Sequence, residues 1–309
     1  MSLMNPPADF PPASSLKLYS HEVDAAIPFW AHKNEHSGDL SVHQLVVASL
    51  FESDIFCTRT IGEMESCYCD YLEIQYKKPV LPTGAALPDK TQLISKNTAR
   101  PLEERWANWL GGFEKGSVLY CAFGSQGVLS KDQFQELLLG FELTGMPFFV
   151  ALKPPVGFET VDEALPEGFK ERVQGRGIVH GGWVQQLEIL SHSSIGCFVS
   201  HAAFSSLLES LVYTDVQLVL MPYLTEQCLN SRLLSGEFKV AVEVEKKETE
   251  SWFSKESICS SIKTVMDEDS DIGVEIRANC LKLRSRLSNP GIESTYIDNI
   301  INKLQEVIA

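Results

Sequence analysis

The sequence predicts an α/β protein whose larger part is a parallel sheet covered by helices on both faces. Two observations carry this. From Pro101 onward, short apolar runs alternate with helical segments, the pattern of βαβ units. The runs are also apolar throughout rather than at every second residue, as strands buried on both faces require.

Taken in order, residues 102–110 read as a short helix. Residues 117–123 (SVLYCAF) read as a strand ended by Gly124-Ser125, and 131–143 as an amphipathic helix. Strands follow at 147–152 (PFFVAL) and at Ile178-Val179, the latter leading into Gly181-Gly182-Trp183. A short helix at 187–192, a strand at 195–200, a helix at 204–212, a strand at 216–221, a helix at 226–234 and a strand at 240–244 complete the alternation. Three helices close the chain, at 255–266, 272–287 and 294–308, with Pro290-Gly291 between the last two. The first third is less regular. Residues 43–52 and 63–76 have helical spacing, and 78–84 reads as a short strand closed by turn residues. Residues 6–12 read as a loop, 16–43 show no clean period despite four histidines, and 88–99 read as a linker.

The 309 residues allow about two domains, and the 44% hydrophobic content suits a globular core. A net charge of −15 argues against nucleic acid or an anionic membrane as partner, since phosphates need a basic face. No apolar run is long enough to span a bilayer, and residues 1–12 lack the basic and apolar regions of a signal peptide. Cys67-x-Cys69 is too tight for a zinc clip, and most of the eight cysteines sit in apolar stretches. Reduced thiols, no metal and a cytoplasmic location are expected.

The residues with most chemical content lie between Trp183 and Gln227. His201 ends an apolar strand, and Ser206 and Glu209 share one face of the helix that follows. That helix starts at the strand's end, where free N–H groups and the positive dipole end suit a diphosphate. Glu209, an acceptor only when ionised, can hold the two hydroxyls of a ribose. The plainer alternative is an ordinary helix start with an incidental acid. Trp183 could stack on a flat base or be a core residue. Gly124-Ser125 after a strand could meet phosphate, a weak signal alone. Gly175-x-Gly177 does not open a helix directly after a strand, so it excludes itself as a dinucleotide fingerprint.

The order and spacing of Trp183-Val184-Gln185-Gln186, His192, Gly196, His201, Ser206, Glu209-Ser210, Pro222 and Glu226-Gln227 resemble the signature box of plant family 1 UDP-glycosyltransferases. The stretches Glu104-Arg105-Trp106, 121–125, 151–155 and 164–169 look like the branch that adds a second sugar to a flavonoid or anthocyanin glycoside. The resemblance implies a GT-B fold, two Rossmann-like domains, with the N-terminal one incomplete. Its domain plan would be an acceptor-domain remnant at 1–87, a linker at 88–100, the UDP-sugar domain at 101–290, and a C-terminal helix at 291–309 packing back towards the N-terminal domain. By resemblance, Trp183 stacks on uracil and the Val184 backbone meets its edge. Glu209 holds the ribose. His201, Ser205, Ser206 and Ser125 surround the diphosphate, with Gln186 beside them, and Glu226 and Gln227 touch the sugar. The donor is a substrate, no cofactor or metal is implied, and the other partner is a small-molecule glycoside acceptor.

The family reaction is an inverting displacement in which an N-terminal histidine deprotonates the acceptor, help worth about 10²–10⁴-fold. That histidine would lie in a segment of about a hundred or more residues ahead of Met1, and none of His21, His32, His36 and His43 fits its place. A UDP-sugar-binding protein without catalysis is therefore the alternative to a transferase. A sugar-nucleotide epimerase is disfavoured by the Glu226-Gln227 ending. Two departures from the family stand out: Ala202-Ala203 replaces the usual Cys-Gly, which predicts crowding of the diphosphate at Ala203, and Gln185 replaces the common proline.

Overall fold

The computed structural model describes residues 6–7, 9–11, 16–33, 39–84, 101–124, 127–246, 252–289 and 291–308. By internal contacts it divides into one unit of Met1–Pro88 with Arg284–Ala309, and a second of Asp89–Leu283.

In the first unit, β1 (Phe56–Thr58) and β2 (Val80–Pro82) pair in parallel, Phe56 opposite Val80. The connecting helix α3 (Gly62–Tyr76) ends on Lys77 in the left-handed region at φ 54°. Glu73 Oε1 accepts from Val80 N at 2.7 Å, so the helix end also fixes the start of β2. Two helices precede these, α1 (Ser20–Ala31) and α2 (Val42–Glu52). Helix α2 starts on a reciprocal cap, Ser41 with Gln44. Helix α1 corrects the unpatterned reading of 16–43. Tyr19 N donates to Glu22 Oε2 at 2.8 Å, closing the first turn. Pro28 lies inside the helix, which is why the sequence reads as broken there. Strand β1, also unread, is three residues long, too short for any period.

The second unit holds a six-stranded sheet, all parallel, made of β3 (Val118–Ala122), β4 (Phe148–Ala151), β5 (Gly177–His180), β6 (Ile195–Ser200), β7 (Gln217–Leu220) and β8 (Ala241–Glu243). The spatial order is β5-β4-β3-β6-β7-β8, which is the 3-2-1-4-5-6 order of a doubly wound Rossmann sheet. Successive residues on both faces of β3, β4, β6 and β7 are fully buried, among them Leu119, Tyr120, Phe148, Phe149, Cys197, Phe198, Leu218 and Val219. This explains the unbroken apolar runs.

The helices of this unit are α4 (Glu104–Leu110), α5 (Lys131–Thr144), α6 (Phe169–Arg172), α7 (Gln186–Leu190), α8 (Phe204–Tyr213), α9 (Thr225–Arg232), α10 (Lys255–Met266) and α11 (Asp271–Leu287), the last extending past its boundary; α12 (Ile292–Ile308) belongs to the first unit. Helix α5 is bounded at both ends by sequence signals, a Ser130–Gln133 capping box and Gly145 at φ 75°. It packs on α10 through Gly140, where a Cβ would come within 2.9 Å of Ile258 Cβ. In the first unit, Tyr296 on α12 accepts from Gly62 N at 2.7 Å and donates to Glu63. The linker expected at 88–99 lies outside the described residues.

Candidate functional site

The sheet order reverses between β3 and β6, and in open α/β sheets ligands bind beyond the carboxyl ends of the strands at such a switch point. Gly124 follows β3 there, at φ +64°, and His201 follows β6. A Cβ on Gly124 would lie 3.4 Å from both His201 Cε1 and Nε2, so the two strand ends meet at this imidazole. Its ring packs against Phe123, 5.8 Å away, and against Tyr223, stacked at 6.2 Å and 29°.

His201 is only 7% exposed, and its Nδ1 has no hydrogen-bond partner among the described residues. Burial pushes its pKa down to about 4, with the Ala122 backbone acting in the opposite direction. At neutral pH the imidazole is therefore uncharged, with one ring nitrogen a donor and the other an acceptor. The shift also couples to stability. The unfolded chain takes up this proton near pH 6.5 and the folded one only near pH 4, so stability present above pH 6.5 is lost as the pH falls between those values. The loss is of order 3 kcal/mol. His201→Gln should remove that part of the acid slope, measured by urea unfolding at pH 7 and pH 4.5.

Ala202 carries the unusual backbone of the site, at φ 66° and fully buried. Its N–H donates to Ser200 Oγ at 3.2 Å and its carbonyl accepts from Asn230 Nδ2 at 3.1 Å. Ala203, where the sequence predicted crowding, has ordinary extended angles of −69° and 129°. The backbone strain of this turn thus lies at Ala202, not at Ala203. Ala202→Gly should stabilise the protein by about 1 kcal/mol, since only glycine adopts this region without steric cost. Thermal unfolding measures it, and an unchanged or lower Tm would count against the strain.

Helix α8 begins directly after Ala203, which offers no side-chain cap. Its first N–H groups are thus left to a ligand or water. Ser205 and Ser206 stand in its first turn. Gln186, at the start of α7, donates from Nε2 to Ser206 Oγ at 3.2 Å and to Glu209 Oε2 at 3.4 Å. The structure therefore joins Gln186, Ser206 and Glu209 into one cluster.

Trp183 is 78% exposed in the loop after β5, so it is no part of the core, while Val184 beside it is buried. The loop is anchored from below. A Cβ on Gly182 would meet His180 Nε2 at 2.8 Å, and the His180 ring packs on Trp106 at 5.1 Å. Gln185 has a role that the sequence did not suggest. Its buried carboxamide accepts from Glu103 N at 2.8 Å and donates to Pro101 O at 3.1 Å, tying the entry to α4 to the Trp183 loop. Glu226 is exposed at the start of α9. Gln227 is buried, and its Oε1 accepts from Tyr223 N and Leu224 N at 3.3 and 3.2 Å. Its oxygen thus caps its own helix, leaving the NH₂ as the end that can reach outward. Ser125 lies outside the described residues. Tyr223, against His201, was missed; its only signal was an aromatic directly after Pro222.

A cavity of about 470 Å³ beside Lys115, His192, Asp215 and Arg277 lies at the opposite, amino-terminal end of the strands. Among the described residues no group of three His, Cys, Asp or Glu side chains could hold a metal ion, and no helix is long and apolar enough to cross a membrane.

A parallel sheet in this order, with an uncapped helix and a cluster of polar side chains at its switch point, defines a doubly wound domain of the Rossmann type. Residues 170–284 match the family model described as UDP-glucoronosyl and UDP-glucosyl transferase. An anthocyanidin 3-O-glucoside 2''-O-glucosyltransferase of Ipomoea purpurea is 49% identical over 306 residues, covering 99% of this chain and 64% of that protein. A cyanidin 3-O-galactoside 2''-O-xylosyltransferase of Actinidia chinensis is 47% identical, covering 96% and 63%. Among solved structures, Phytolacca americana UGT2 complexed with UDP-2fluoro-glucose and pterostilbene superposes with a TM-score of 0.67 at 27% identity, covering 86% of this chain and 57% of that one. Over nearly all of its length the chain is similar to plant UDP-glycosyltransferases, and it has the GT-B type of α/β fold seen in their solved structures. It spans somewhat less than two thirds of the length of these curated relatives.

Proposed function

We propose that this chain binds a UDP-sugar at the β3–β6 switch point and serves inverting transfer of a hexose or pentose to a hydroxyl of a flavonoid or anthocyanin glycoside. The observation that carries the reading is the Gln186–Ser206–Glu209 cluster beside the uncapped start of α8, next to the buried His201. The relatives named above, which act on sugars already attached to an anthocyanidin or cyanidin, support the acceptor class.

In this reading Trp183 stacks on uracil, and the Val184 backbone meets the base edge. Glu209 accepts from the ribose hydroxyls. The diphosphate takes the α8 N–H groups, Ser205, Ser206, Ser125 and the neutral His201 N–H. Glu226 and the Gln227 NH₂ face the sugar. The acceptor oxygen attacks the anomeric carbon, the bond from that carbon to the UDP oxygen breaks with inversion, and the acceptor proton passes to a general base. Donors fixed around the departing diphosphate stabilise its growing charge without reorganising. Eight cysteines, none of them in a disulfide, fit a reducing, cytoplasmic setting for this chemistry.

Incubation with UDP-glucose and an anthocyanidin 3-O-glucoside tests the reading. The expected result is release of UDP and a product heavier by one hexosyl group. Binding of UDP without product would reduce the reading to a UDP-sugar-binding protein, and failure to bind UDP would overturn it altogether.

A further inference from the structure

We propose that Tyr223 is a positioning residue of the diphosphate subsite, acting through His201. The inference rests on the UDP-binding reading of the site.

The geometry is specific. Tyr223 stacks on the His201 ring at 6.2 Å and 29°, and the Phe123 ring lies 5.8 Å from His201 and 5.9 Å from Tyr223. The three rings form a closed group, each within about 6 Å of the other two. Trp252 lies against Tyr223 at 6.3 Å. The backbone of Tyr223 is fixed too, because its N–H donates to the buried Gln227 Oε1. One residue of the signature box thereby holds the residue that holds His201.

The phenol reaches further. A Cβ on Gly127 would lie 2.3 Å from the Tyr223 hydroxyl oxygen and 2.7 Å from the Phe123 carbonyl, so the segment returning from β3 runs directly against this side chain. That segment and His201 flank the switch-point crevice. Burial, with Glu226 adding to it, pushes the phenol pKa up to about 12, so the hydroxyl stays neutral. A ring stacked on the imidazole helps to fix it before the diphosphate arrives. Such preorganisation improves affinity by reducing what must be ordered on binding. Tyr223 packs on His201, whereas in the UDP reading Trp183 and Glu209 serve the uridine half. Its effect should therefore be confined to the phosphates.

The test is calorimetric titration of UDP and of uridine into the wild type, Tyr223→Ala, Tyr223→Phe, His201→Ala and the Tyr223→Ala/His201→Ala double variant. Tyr223→Ala should weaken UDP binding roughly tenfold while uridine affinity stays within about twofold. Tyr223→Phe, which keeps the stack, should recover most of that loss. In the His201→Ala background the Tyr223→Ala loss should largely disappear, because residues acting as one unit are not additive. Equal losses for UDP and uridine would overturn the inference by making Tyr223 a general scaffold residue, as would full additivity with His201→Ala. Uridine binding also reports that each variant is folded. A wild type that binds UDP, paired with a Tyr223→Ala variant of unchanged UDP-to-uridine ratio, overturns this inference alone. A wild type that binds neither ligand overturns the UDP reading with it.

Discussion

Gly196→Ala is expected to destabilise the nucleotide-binding unit by about 3 kcal/mol, at the upper end for overpacking, lowering Tm by roughly 6–12 °C. The register explains why. Val118 pairs with Ile195 and Leu119 with Cys197, so Gly196 is the extra residue of a bulge in β6. A Cβ there would lie 2.0 Å from the Gly116 carbonyl oxygen and 2.7 Å from its carbon. Both are backbone atoms, and Gly116 is itself tied by its N–H to Ser193 O at 2.9 Å. Only a shift of β3 against β6 makes room, and these two strands form the switch point. Gly116→Ala is the control. It sits at φ +69° with nothing within 4 Å of a Cβ, so it should cost only about 1 kcal/mol of backbone strain. Equal Tm losses from the two variants would show that the steric argument is wrong.

Glu209→Ala should weaken UDP binding by roughly 10²-fold. Each ribose hydroxyl donating to an ionised carboxylate contributes about 1.5–3 kcal/mol, and loss of two such bonds, partly replaced by water, leaves a deficit near 3 kcal/mol. Gln186 holds one carboxylate oxygen at 3.4 Å, which limits the rotamers that the acid must give up on binding. Because the effect runs through the ribose, 2'-deoxy-UDP should bind the wild type more weakly than UDP does, and that difference should vanish in Glu209→Ala. Titration calorimetry with both nucleotides decides it: persistent discrimination in the variant would remove Glu209 from the ribose.

Local sequence carried much of the second unit. Capping residues Ser130 and Gly145 bound α5 without help from the rest of the fold, and unbroken runs such as VLYCA and IGCFVS could be satisfied only by a sheet covered on both sides. The first unit was harder. Helix α1 holds Pro28 and leaves Ile27 and Phe29 exposed, so its apolar residues do not form the stripe from which a helix is read. At the site, residue types and spacing suggested His201, Ser206, Glu209 and Trp183, while the contacts of Gln185 and the place of Tyr223 were not legible. Their roles depend on Pro101, Glu103, Phe123 and Gly127, each remote along the chain.

By itself the sequence determined the α/β class, most elements of the nucleotide-binding unit and the short list of side chains able to meet a nucleotide diphosphate, because caps, turn residues and hydrophobic period act over a few neighbouring residues. Only the tertiary structure decided that β3 adjoins β6, that Gln186 reaches Ser206 and Glu209, that the backbone strain sits at Ala202, and that His201 is enclosed by rings and uncharged. Those outcomes depend on strand order and on burial. Both arise when distant segments pack and exclude water, so neither is encoded in any single stretch of chain.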